Sequence, residues 1–202
     1  MYLSKRDTIP PIPMEIHHAY HPKLLAVVAI AACSSAAQAA DTPADFWTTP
    51  TVHGYGKIHY LPDASYRPQA DQNYRIVFSI TQASKSPESV NVALDHVART
   101  VNLYTAAGVP LDHLKFVAVV SGPATPLALN DAQYRTAYGV ANPNLPLVAE
   151  LRKAGVDVAV CGQAVAEHEF QYDWVDKSVT LSLSGLTTVT TLEHQGYSVL
   201  QF

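Results

Sequence analysis

Residues 156–169 read VDVAVCGQAVAEHE. The first part, VDVAVCG, is short, apolar and rich in valine, the composition of a strand buried in a sheet. The second part, QAVAEHEF, reads as a short helix. Cys161 and Gly162 stand at the junction between them. A strand that runs into a helix through a single tight turn is the building unit of a parallel α/β sheet.

Working outward, the unit repeats. YRIVFSIT at 74–81 is a strand, and SKSPESVNVALDHVARTVNLYTAAG at 84–108 follows as a helix. Ser86 is the expected N-cap, Pro87 takes the first helical position and Gly108 closes the helix. Val90, Leu94, Val97, Val101 and Tyr104 recur at steps of three and four and form one apolar stripe. LKFVAVVSG at 114–122 is a second strand. ALNDAQYRTAYG and NPNLPLVAELRKAG supply helices, the second ending at Gly155. SVTLSLSG, LTTVTTLEHQG and YSVLQF then read as strand, helix and strand. Strand and helix alternate five times, which requires a parallel sheet with helices on both faces. The fold class is therefore α/β, a three-layer α/β/α sandwich around five parallel strands. Nearly continuous apolar strands fit a sheet covered on both sides.

In such sheets ligands gather at the C-terminal ends of the strands. Four turns share that edge: Thr81-Gln82, Ser121-Gly122-Pro123, Cys161-Gly162-Gln163 and Ser184-Gly185. A thiol before a helix start meets amide groups and the positive end of the helix dipole, both of which favour the thiolate. The same position suits a small hydrophobe filling a core, and residue pattern alone leaves both readings open. His168, seven residues on and flanked by Glu167 and Glu169, is a candidate acid/base partner or soft-metal ligand, or else a solvated surface residue. The Cys and His spacing matches no zinc motif. There is no GxSxG elbow, so Ser121 and Ser184 read as turn residues, and the threonine-rich helix reads as packing on the sheet.

The N-terminal third differs in kind. Lys23, the apolar run LLAVVAIAAC and the small-residue site Ala37-Gln38-Ala39 form an export signal over residues 1–39, with Met14 an alternative start. The apolar run is too short to span a bilayer, which needs about 20 residues. IAAC around Cys33 also resembles a lipoprotein box, a less favoured route. The expected location is periplasmic or secreted, with no membrane attachment after processing. Cleavage after Ala39 removes one of the two cysteines and leaves Cys161 without a disulfide partner. It also removes three cations and two carboxylates, so the formal charge of −4 becomes −5. An acidic chain with no basic stripe excludes phosphate-backbone binding, and hence nucleic acid. Residues 40–73 form an irregular arm with prolines and spread aromatics. It packs either on its own domain or on a neighbouring subunit, and GKIHYLP within it suggests an edge strand. The regular α/β domain covers residues 74–202.

Three blocks of that domain resemble the DsrE/DsrF/TusD family in its exported branch: VSGPA after the second strand, NPNLPLVAELRKAGVDVAVCGQ through the third, and SLSGLTTVTTLEHQGYSVLQF at the end. The resemblance implies a five-stranded parallel sheet and assembly into homo-oligomers, trimers or hexamers. It also implies a sulfur-carrier or sulfurtransferase role, with a persulfide held on the cysteine that ends the third strand, here Cys161. Gly162 and Gln163, whose amides would stabilise the thiolate, stand beside it as supporting residues, with Ser121, Gly122 and His168. Ser121 stands where several relatives carry histidine. The implied partner is a sulfur donor or acceptor protein or a small sulfane-sulfur compound, and no cofactor or metal is implied. The other reading is a non-catalytic oligomeric subunit that uses the same crevice for a small ligand or a soft metal.

Overall fold

The computed structural model describes residues 46–202. The signal segment, its cleavage site, Met14 and Cys33 lie outside the described residues. Five strands, β1 (Tyr74–Ile80), β2 (Leu114–Val120), β3 (Asp157–Cys161), β4 (Thr180–Ser182) and β5 (Ser198–Gln201), form one sheet in the order β4-β3-β2-β1-β5. Every pairing in it is parallel. The helices are α1 (Val92–Ala106), α2 (Asp131–Tyr138), α3 (Leu145–Lys153), α4 (Gly162–Glu167) and α5 (Gly185–His194). No helix among the described residues is long and apolar enough to cross a membrane.

The order follows from handedness. From β1 the chain steps one way to β4, so its right-handed crossovers place their helices on one face. It then returns past β1 to β5, which reverses the direction and puts α5 on the opposite face. Strand alternation agrees. Ile76, Phe78 and Ile80 of β1 join Leu94, Val97 and Val101 of α1 and Leu147 and Leu151 of α3 in one buried cluster. Val77 and Val119 are also buried but stand outside that cluster. The α1 face holds the main core, with Phe78 and Phe116 edge-to-face at 5.5 Å.

Helix α1 starts later than the sequence suggests. Ser86 and Pro87 lie in the preceding loop, where the Ser86 and Ser89 hydroxyls pair at 2.9 Å. Asn91 is the cap: its side-chain oxygen accepts from the Ala93 and Leu94 amides at 2.9 and 3.1 Å. The rest of Asn91 is satisfied too. Its amide nitrogen donates to the Gln82 carbonyl, and its backbone N–H donates to Asn144 Oδ1, both at 2.8 Å. A start at Ser86 would forfeit four hydrogen bonds around a residue only 1% exposed.

The arm folds back on α1 of the same chain. Asn102, fully buried in the middle of α1, accepts from the Thr51 and Val52 amides at 3.0 and 2.8 Å. Its nitrogen donates to the Tyr55 and Gly56 carbonyls, both at 3.0 Å. Gly56 is required by close approach, because a Cβ there would sit 2.1 Å from the Arg99 nitrogen. Val52 enters the main core. GKIHYLP adds no strand to the sheet. It contributes one antiparallel bridge, Ile58 to Thr48, within the arm itself.

Candidate functional site

The C-terminal strand ends meet where the sequence placed them. β3 alternates, so Val158 and Val160 enter the main core while Cys161 turns to the α5 face. There it lines a pocket of about 550 Å³ with Ser79 and Thr81 from β1 and its end, Val119, Ser121 and Gly122 from β2 and its turn, and the first turns of α4 and α5. A second pocket, about 230 Å³, is walled by three prolines and two tyrosines together with alanine, serine, leucine and Lys85, and contains no cysteine or carboxylate.

Cys161 is the N-cap of α4. Its Sγ accepts a hydrogen bond from the Ala164 amide at 3.4 Å, and the residue is 6% exposed. The amide that reaches the sulfur is therefore Ala164, not Gly162 or Gln163. That is the geometry of an N-cap, whose side chain turns back to the second or third residue of the helix. Gly162 has a different task. A Cβ there would stand 2.7 Å from the Ser182 carbonyl oxygen, so only glycine lets the turn pass β4. Gly185 lets α5 approach: a Cβ on it would be 3.4 Å from that of Ser121 and 3.6 Å from that of Cys161. Ser121, Cys161 and Gly185 thus meet at one point.

The other sequence candidates act as braces. Gln163 donates to the Leu183 carbonyl at 3.1 Å and ties α4 to the turn before α5. Gly122 adopts φ +52°, a left-handed conformation. Its carbonyl accepts from Thr125 Oγ1 at 2.7 Å and pairs with His168 Nε2 at 2.9 Å. A carbonyl can only accept, so Nε2 carries the hydrogen. His168 does not line the Cys161 pocket. Its ring stacks on Phe170 at 5.3 Å and holds the β2 turn from behind. No group of three or more His, Cys, Asp or Glu among the described residues is placed to hold a metal ion.

Some of the wall went unread. Thr190, read from sequence as sheet packing, lines the pocket, as do Ser79 and Gln201. The usable signal was strand parity: Ser79 and Cys161 each stand on the odd, non-core face of a strand, near its C-terminal end. Ser184 is more than a turn residue. It caps α5, its Oγ accepting from the Leu186 amide at 3.2 Å, and it is 9% exposed.

No curated protein matches the chain. Among solved structures, one of a protein of unknown function from Methanobacterium thermoautotrophicum is 18% identical, with a TM-score of 0.48, over 64% of this chain and 100% of its own. The model of the DsrE/DsrF-like family matches residues 72–202, which take in all five strands, the Cys161 turn and the whole pocket wall. On that match the chain belongs to the DsrE/DsrF-like family.

Proposed function

We propose that this protein is a sulfur carrier of the periplasm that holds a persulfide on Cys161. Its family suggests a role connected with sulfur relay. The observation that carries the finer reading is the placement of Cys161, the free cysteine among the described residues, in the wall of the pocket. A thiolate there is the nucleophile and the carrier, and the Ala164 amide donates to it. Incubation with polysulfide followed by intact mass measurement tests the reading. The wild type gains sulfur and Cys161→Ser gains none; a wild type that takes up no sulfur refutes the carrier role. N-terminal sequencing of exported protein checks the location, with cleavage expected after Ala39.

Assembly into a homo-oligomer is part of this reading. Leu186, which lines the pocket, and Leu183 just before α5 are 82% and 74% exposed, and a second copy of the chain would cover them. Light scattering should give a multiple of the monomer mass, reduced by Leu186→Asp.

One observation favours the alternative, a non-catalytic binding or accessory subunit: the deep burial of Cys161. On that account Cys161→Ser retains function, and a small ligand raises thermal stability equally in both proteins.

A further inference from the structure

Resting on the carrier reading, we propose that Glu167 selects the sulfur donor by charge. The pocket takes a small persulfide that bears an ammonium group or no charge, and it turns away anionic donors. Four observations support this. Apart from Cys161, Glu167 is the only ionisable residue in the pocket wall, which has no lysine, arginine or histidine. Among the described residues, no lysine, arginine or histidine forms an ion pair with it. It closes α4, where the helix dipole disfavours a carboxylate and a cation would be the locally stable choice. Glu167 is exposed at the pocket wall, and a residue that breaks a local rule beside a pocket is a candidate for function rather than stability.

The fourth observation bears on the competing anion attraction. At each of the two helix starts that converge here, one first-turn amide is engaged by a capping side chain. The Ala164 N–H serves Sγ, and the Leu186 N–H serves Ser184 Oγ. Gln163, one turn before Glu167 on the same pocket face, is committed to the Leu183 carbonyl. One anion, the thiolate, is provided for. A second would meet Glu167 with no cation to offset it, whereas an ammonium would find its counter-charge there. The volume, about 550 Å³, suits a donor of amino-acid size.

The step is simple sulfur transfer. The Cys161 thiolate attacks the terminal sulfur of R–S–SH, and a new S–S bond forms on Cys161. The bond from that sulfur to R–S breaks, and its electron pair leaves as RS⁻. No outside oxidant or reductant is consumed.

The experiment has two arms. In the first, Cys161 of the full protein is modified by a cationic and an anionic methanethiosulfonate of matched size. Rates are normalised to those of the unfolded chain. At low salt the wild type should favour the cation about tenfold, and the ratio should shrink as salt rises. Glu167→Gln should bring the ratio close to one, and Glu167→Lys should invert it. A wild-type ratio equal to that of the unfolded chain, a ratio unchanged by Glu167→Gln, or no reaction of native Cys161 with either reagent overturns the proposal. The second arm loads sulfur from the persulfides of cysteamine and of 3-mercaptopropionate, read by intact mass. Loading from both at equal rates sinks the selection by Glu167 and leaves the carrier reading standing. Charge selectivity in the first arm with no loading in the second sinks the carrier reading instead.

Discussion

The two faces of the sheet are built on opposite terms. On the α1 face, phenylalanines, leucines and valines pack at or near zero exposure, and the arm seals α1 through a fully bonded buried asparagine. On the α5 face one threonine-rich helix stands over the strands; of its residues only Gly185 is buried, and Leu186 points into solvent. The first face removes much apolar surface from water and carries most of the stability. The second leaves a crevice with a thiol in its wall. The difference teaches that stability and chemistry are separable here, since alternate residues of the same strands serve each. Substitutions should therefore divide cleanly by face.

The largest test is Asn102→Ala. It leaves the Thr51 and Val52 amides and the Tyr55 and Gly56 carbonyls without their partner at a site with no solvent. Unsatisfied buried groups cost enough that stability should fall by about 3 kcal/mol in urea unfolding. Hydrogen exchange should rise in residues 46–60 while the rate of Cys161 labelling in the folded protein stays unchanged. A matching change in that rate would show the faces to be coupled.

Gly162→Ala crosses the boundary deliberately. The added methyl meets the Ser182 backbone carbonyl oxygen at 2.7 Å. Relieving the overlap should cost about 2 kcal/mol. It must also move the turn that carries Cys161, so sulfur loading should slow more than stability alone explains. Loss of stability with normal loading would mean that the turn relaxes away from the pocket.

The sheet was legible because buried parallel strands leave a coarse signal: short β-branched runs separated by helical stripes. The place of Cys161 followed from the same signal, as a strand end. What stayed hidden depends on partners remote in sequence. Asn102 sits in a helix whose periodicity says nothing of four hydrogen bonds to residues 46 to 51 positions earlier. Asn91 displaced Ser86 as the cap because Asn144, 53 residues away, completes its bonding. His168 lies only seven residues from Cys161, yet its ring is held by Gly122 from another turn. Local propensity ranks caps and turns, but tertiary hydrogen bonds choose among them.

The smallest test compares two carboxylates near the same sheet edge. Glu167 has no ion-pair partner among the described residues, whereas Asp131 at the start of α2 is held on both oxygens. Asp131 Oδ2 accepts from Arg135 Nε at 2.7 Å, and Oδ1 accepts from the Asn142 amide at 2.9 Å. Asn142 in turn donates to the Leu127 and Leu129 carbonyls and fixes the chain after β2. The Arg135 hydrogen bond first, and the Asn142 amide second, hold the Asp131 carboxyl below its usual value of 3.8. A depressed folded-state pKa means stability that is present above the unfolded value and lost as pH falls through the folded one. Asp131→Asn keeps an acceptor for Asn142 but loses the charge. It should lower the unfolding midpoint slightly at neutral pH, and the deficit should fade below about pH 4. The exposed Arg135 pair is screened, so added salt should also shrink the deficit. Glu167→Gln, which breaks no ion pair among the described residues, should show no deficit at neutral pH. An equal one would mean that Glu167 is bound into the fold as Asp131 is, and would remove the ground for treating the α5 face as the one left free for chemistry.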